Sequence, residues 1–456
     1  MFAMVDSGNS RSRRNVLTAI GALGAAGLAG CGGSNDTNTE GEGSSGGSGS
    51  DGGSSSTDTG TATPVPMADS FTLWELSDTW DPHVAAYQDA TGTTIDHVNK
   101  GSVIEDLRTR ILAGTGAPGT SMAQYKNLRQ LIATGGLRDI SDWVDEAGIR
   151  DQFPEGIWET VSQDGAIYEI PYDIGPATLF YRKDVWDEHG VDDSFETYDE
   201  LIEEGKKLPD DMSIMGLANN TLMVVWRAMY RQAGGQEFDE EGRIAFDNDL
   251  ALTAFRQINR LGRSGVVDST NSWSNPWFEG FKDGSIAGRI SGAWFAGTLQ
   301  SSVSSTSGKW RGMKLPALES GGNRASQIGG SGLCFPKQVD EAQARRAFDF
   351  VVETTTSNEQ MANLFTEEGN ICAYKGAWDD DAFSAGYDFF GGQPIGELWT
   401  EMGDNIPGFT YTLDSPKVNT LLNPILQDMV AGDLEPKAAL DKWVTQSKNQ
   451  TGRDVA

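Results

Sequence analysis

Phe71-Thr72-Leu73-Trp74-Glu75-Leu76, residues 81–91, Thr94-Ile95-Asp96-His97-Val98 and residues 104–112 together decide how this chain folds. The first run is short and alternates apolar with polar positions, so it reads as a strand. Residues 81–91 put His83, Val84 and Tyr87 on one face, with Gly92 just past the end, which is helix punctuation. Residues 94–98 read as a second strand and 104–112 as a second helix, closed by the glycines and proline of 114–119. Strand, helix, strand, helix in that order requires crossovers, and crossovers build a parallel sheet covered by helices. The expected class is α/β.

The same alternation continues outward. Residues 125–133 are predicted helical and stop at Gly135-Gly136, and a further helix ends over 158–162. Ala166-Ile167-Tyr168-Glu169-Ile170-Pro171-Tyr172 is an extended run, and Leu179-Phe180-Tyr181 another. Amphipathic helices follow over 198–207, 222–232 and 249–262, then 417–430 and 437–447, with Pro- and Gly-rich breaks between them. The folded body shows no internal repeat and no transmembrane stretch. A single core stops growing at about 250–300 residues, so a chain of 456 implies two lobes. With 13 Trp, 10 Tyr and 19 Phe, aromatic rings remain for a binding surface after the cores are filled.

Charge excludes one class of partner. Asp and Glu number 66 against 35 Lys and Arg, a net charge of −31. Phosphate binding needs a basic face, so no nucleic-acid partner is expected. The acidity is dispersed along the body, as suits strong brine, where screening lengths fall to about 3 Å at 1 M salt. A halophilic source is expected. Cysteine is sparse: Cys31, Cys334 and Cys372. The last two could pair or sit as buried thiols, and the free-thiol reading is favoured. With three His and no metal-ligand spacing, neither metal nor cofactor is expected.

The front of the chain reads as an address and a tether. Ser12-Arg13-Arg14-Asn15-Val16-Leu17-Thr18 carries the paired arginines of a twin-arginine export signal. The apolar stretch 19–28 is shorter than the about 20 residues a bilayer span needs, and fits a signal-peptide core. Leu28-Ala29-Gly30-Cys31 resembles a lipoprotein processing box, which makes Cys31 the lipidated residue. Residues 1–31 are thus an export signal. Residues 32–68 are nearly all small and polar and cannot offset chain entropy, so they read as a disordered linker. Sequons at Asn35, Asn219 and Asn449 permit glycosylation without showing it.

Ligands of open α/β sheets lie beyond the carboxyl ends of strands. Trp74 and Glu75, Tyr172 and Asp173, and Trp294 sit at such places. Aromatic rings stack on the C–H faces of sugars, while carboxylates and amides take their hydroxyls. Trp273 and Trp277, flanking Pro276, are read as packing more than as cleft lining. Arg289 has two readings: a surface ion pair, which is favoured, or a cation facing a charged ligand group.

Six stretches, in order, carry a resemblance. They are the Thr72-Leu73-Trp74 strand with its Thr91-Gly92 turn; Asp164-Gly165-Ala166-Ile167-Tyr168-Glu169-Ile170-Pro171-Tyr172-Asp173; Leu179-Phe180-Tyr181-Arg182-Lys183-Asp184; Thr197-Tyr198-Asp199-Glu200-Leu201; the run 278–297 with Phe281, Gly284 and Gly292-Ala293-Trp294; and Gly329-Gly330-Ser331-Gly332-Leu333-Cys334-Phe335-Pro336-Lys337. Each is weak alone. In this order they resemble the family 1 extracellular solute-binding proteins of ABC importers, the maltose-binding-like group, over 71–446.

The resemblance implies a type II two-lobed periplasmic-binding-protein-like fold, each lobe a sheet flanked by helices, closing about a hinge. The lobes would be 69–173 plus 314–368 and 174–313 plus 369–456, with crossings near 173–175, 311–316 and 368–371. It implies a ligand site of Trp74, Glu75, Gln124, Tyr172, Asp173, Trp294, Gly330, Ser331 and Tyr374. Two departures put the ligand type in question. Pro118-Gly119-Thr120-Ser121-Met122-Ala123-Gln124 has Gln124 in place of a carboxylate, and Asn370-Ile371-Cys372-Ala373-Tyr374 lacks the family's Pro and Ala. The implied function is capture of a sugar or polyol outside the cell and delivery to permease subunits with a cytoplasmic ATPase. The expected protein is a monomer, not an enzyme, held on the outer membrane face through Cys31. A secreted carbohydrate-active enzyme and a cell-surface adhesin are the rival readings.

Overall fold

A computed structural model describes residues 66–76, 80–403, 405–409 and 411–456. The export signal with Arg13 and Arg14, Cys31, Asn35 and residues 32–65 of the linker lie outside the described residues. Ten strands form one mixed sheet: β1 (Ser70–Glu75), β2 (Thr94–Asn99), β3 (Thr120–Gln124), β4 (Glu169–Arg182), β5 (Met215–Gly216), β6 (Val267–Asp268), β7 (Gly288–Gly292), β8 (Trp310–Lys314), β9 (Gln327–Cys334) and β10 (Ile371–Cys372). The order is β2-β1-β3-β9-β4-β7-β5-β6, with β8 and β10 also paired to β4.

The opening unit is as the sequence implies. β1 runs parallel to β2 and β3, and the helix Asp81–Thr91 between β1 and β2 ends on Gly92 in the left-handed region. Glycine alone enters that region without a Cβ penalty, and it stops the helix there. The helix Tyr198–Gly205 starts with a reciprocal cap, in which Thr197 Oγ1 accepts from Glu200 N and the Glu200 carboxylate accepts from Thr197 N.

Two sequence expectations change. The separate runs 166–172 and 179–181 are largely one 14-residue strand, β4, buried along its whole length. The strand contains Pro171 and Pro176, and proline donates no ladder hydrogen bond. The structure places both at irregularities: the register with β9 shifts between Gln327 and Gly330, and again between Ser331 and Gly332. Residues 120–124, read as following a turn, form β3, paired to both β1 and β9.

The sheet carries two hydrophobic cores, which gives the two-lobed α/β architecture expected. One gathers Leu73, Trp80, Leu107, Ile170, Leu333 and Phe350 under the first strands. The other gathers Leu179, Trp226, Phe255, Leu426 and Trp443 among the later helices. β4 feeds both. Side chains alternate across a strand, so Leu179 and Tyr181 enter the second core while Phe180 between them enters the first. Cys334 and Cys372 are buried free thiols, and burial pushes the Cys372 thiol up to about 12.

β4 and β9 run very close where the register shifts. A Cβ added at Gly175 would lie 2.2 Å from the Ile328 carbonyl oxygen. Gly175→Ala should therefore destabilise the protein by about 1–3 kcal/mol, as overpacking does. Gly101→Ala, at a position with open space, should be neutral. Denaturant midpoints read the difference, and equal midpoints for the two variants would refute the close approach.

Candidate functional site

A cleft of about 490 Å³ opens beside the crossing of β4 and β9. Its floor is polar. Asp173 Oδ1 accepts hydrogen bonds from Ser331 N, at 2.8 Å, and from Ser331 Oγ; Oδ2 accepts from Asn370 Nδ2 at 3.1 Å. Burial pushes the Asp173 carboxyl above its usual range, and the Ser331 and Asn370 donors only partly offset this. Tyr125 Oη donates to the Asp173 carbonyl at 3.0 Å, which ties β4 to the helix following β3.

One wall is indole. Trp294 sits at the start of the helix Phe295–Ser302, and its Nε1 donates to the Ile328 carbonyl at 2.9 Å. The ring fits because the neighbours lack side chains: a Cβ on Gly292 would lie 2.5 Å from Trp294 Nε1, and one on Gly329 2.8 Å from the same atom. Trp273 lies parallel to Trp294, with ring centroids 6.3 Å apart and planes 12° from parallel. Trp273 is 56% exposed and has a backbone φ of 69°, an uncommon conformation for a bulky residue. Both flanks hold it there. Ser272 N donates to Asn220 Oδ1 at 2.9 Å, and Ser274 caps the helix Asn275–Asp283. Strain of this kind clusters where a side chain must be presented.

The remaining wall is cationic. Lys126, Arg227, Arg231 and Arg289 all line the cleft. Arg227 Nε donates to Glu237 Oε1 at 2.7 Å, and Arg231 Nη2 lies 3.5 Å from Glu237 Oε2. Burial raises the Glu237 pKa, but the two guanidinium groups outweigh it and hold the carboxyl below its ordinary value. Arg231 also lies over the Phe409 ring, 3.6 Å from its centroid. Arg289 differs from these two. It is 6% exposed, and burial alone lowers its pKa to about 10. The favoured surface ion pair does not exist, since no ion pair involves Arg289 among the described residues.

Of the residues the sequence proposes, Gln124, Asp173, Trp294, Gly330 and Ser331 line this one cleft, and Trp74, Glu75, Tyr172 and Tyr374 do not. Neighbours on a strand point to opposite faces, so with Asp173 in the cleft Tyr172 must face away; it packs on Trp80 at 4.7 Å. Trp74 is buried beneath Lys100, whose Nζ is 4.2 Å from the ring centroid. Glu75 is buried 3.5 Å from His97 Nε2 on β2. Tyr374 packs against Phe153, centroids 5.9 Å apart. Of Trp273 and Trp277, read as packing, Trp277 is buried in the first core at the base of the cleft, while Trp273 is exposed in it. Arg227 and Arg231 escaped the sequence reading altogether. Their spacing of four on a predicted amphipathic helix puts them on one face, but it cannot say that the face meets a cleft.

Comparison with known proteins bears on the fold and the family. The arabinooligosaccharide-binding protein of Halalkalibacterium halodurans is 25% identical over 350 residues, covering 74% of this chain and 77% of that protein. The lactose-binding protein of Rhizobium radiobacter is 25% identical over 392 residues, covering 80% and 89%. An ABC transporter associated binding protein from B. animalis subsp. lactis Bl-04, solved with β-1,6-galactobiose, superposes with a TM-score of 0.69 at 26% identity, over 84% of this chain and 98% of that one. The sugar-binding protein MalE of Xanthomonas citri shares the fold, with a TM-score of 0.73 at 16% identity over 83% and 96%. Residues 83–390 match the family described as bacterial extracellular solute-binding protein, and this chain is a member of that family.

Proposed function

We propose that the protein is the extracellular sugar-binding component of an ABC importer, and that its saccharide is held in the cleft between Trp273/Trp294 and the Asp173–Ser331 floor. The observation that carries this reading is the indole pair set against a floor of convergent polar groups. Sugar rings offer apolar faces to such indoles and hydroxyls to such floors. The relatives named for arabinooligosaccharide and lactose support the ligand class. A glycosidase would place two carboxylates across the scissile bond. The lining here includes one, Asp173, with both oxygens already hydrogen-bonded, which favours binding over turnover.

We infer the rest of the pathway from the sequence. Arg13 and Arg14 direct export, Cys31 carries the lipid anchor, and residues 32–68 tether a monomer near the permease and its ATPase. The dispersed acidity suits a halophile. The lobes are 69–173 plus 314–368 and 174–313 plus 369–456. Gln232 Nε2 donates to Pro316 O at 2.9 Å, a contact between these lobes beside the crossing near 311–316. Closure of the lobes on ligand would present the docking surface, and ligand would drive it by its differential affinity for the closed state.

A thermal-shift screen of neutral and acidic saccharides and polyols in high salt should find a stabilising ligand, worth about 2.7 kcal/mol at 100 times its Kd. Small-angle scattering should show compaction with that ligand and no product after incubation; turnover, or binding without compaction, would count against the reading. Trp294→Ala and Trp273→Ala should each weaken binding by about 2 kcal/mol, roughly thirtyfold, as lost aromatic anchors do. Calorimetry giving wild-type affinity for both would remove the indole wall from the site.

A further inference from the structure

Arg289 is the lining cation with two unpartnered nitrogens and no carboxylate beside it among the described residues. Its guanidinium is buried on β7, and its Nε and Nη1 meet no hydrogen-bond partner among the described residues. Its nearest acceptor contact is weak: Nη2 lies 3.5 Å from Thr221 Oγ1. Below it is the Trp277 ring, 5.2 Å from the guanidinium carbon. An ion removed from water without a partner is strongly unfavourable, so buried charges are paired or marked for use. Arg227 and Arg231 have Glu237 behind them; Arg289 has no carboxylate partner among the described residues. The lining as a whole holds four cations and the single carboxylate Asp173, the reverse of a chain with net charge −31.

A planar guanidinium fork matches a carboxylate in a two-point bond, which hydroxyl groups reproduce only in part. The partner also has to sit against indole, because Trp277 contacts both Arg289 and Trp273, the last at 5.7 Å between centroids. We propose that the ligand is an acidic saccharide: the carboxylate of a sugar acid pairs with Arg289, while its rings lie along Trp273 and Trp294. This rests on the sugar-binding reading above and narrows it from neutral sugars to uronate-type ones. Arg289 is then the residue that sets specificity.

The test is calorimetry on the full chain with acid and neutral pairs of matched shape: digalacturonate against galactobiose, and cellobiouronate against cellobiose, with the methyl ester of digalacturonate as an uncharged copy. At least one acid should bind more tightly than its neutral counterpart by about ten- to a hundredfold, the range of a charge-assisted hydrogen bond. Arg289→Gln should bring that ratio to near one, and Arg289→Lys should retain part of it. Without ligand, Arg289→Met should melt at or above the wild-type temperature, because it removes an unpaired buried charge; a large drop would mark Arg289 as a packing residue and overturn the proposal. Tight binding of the neutral sugars or the ester, with the acids equal or weaker, overturns the carboxylate partner and leaves the sugar-import reading standing. Binding of none of these saccharides overturns the acidic-saccharide proposal, and the sugar-binding reading is then decided by the wider thermal-shift screen.

Discussion

The space around one carbonyl oxygen, that of Ile328, organises the site. Gly175 on β4 and Gly292 at the end of β7 both approach it so closely that a Cβ on either would lie 2.2 Å away. The indole of Trp294 donates its N–H to the same oxygen. Two segments far apart in sequence, around Gly175 and over 292–294, are thus locked against one point on β9. A hydrogen bond buried there is costly to leave unmade, which fixes the ring's position. Once β9 is set in this way, Ser331 faces Asp173 and the polar floor follows.

This crossing also explains why β4 can be shared by both cores. The prolines at 171 and 176 would interrupt a regular ladder, yet both fall where the partner strand shifts register. The irregularity serves the site. It is where backbone groups leave the ladder and where glycines allow ligand-facing side chains to come close. A single strand that carries Asp173 thus contributes side chains to both cores.

Much of the fold was legible in the sequence because period and punctuation agreed. The helices 81–91, 222–232 and 249–262 have the boundaries expected of them; Gly92 closes the first and the Asn248 side chain caps the last. β4 was read as two pieces, 166–172 and 179–181, because the stretch between them, with Gly175 and Pro176, carries no local strand pattern; pairing to β9 joins them. The site was legible in half. Asp173, Ser331, Gly330, Gln124 and Trp294 could be placed from strand ends and from the family resemblance. Tyr172 could not be placed as well, because alternation allows only one of two neighbours into a cleft. Trp273 depends on a left-handed backbone conformation that no local pattern announces. The cationic wall depends on which face of the helix Leu222–Gln232 meets the cleft, a purely tertiary fact.

Hydrogen exchange followed by mass spectrometry, with and without a saccharide that raises the melting temperature, tests the central claim most directly. Ligand should slow exchange together in residues 171–176, 272–278, 291–295 and 327–331, since these converge on the Ile328 carbonyl and the cleft beside it. Protection confined to other segments, or spread evenly over the chain, would contradict a site built at the β4–β9 crossing.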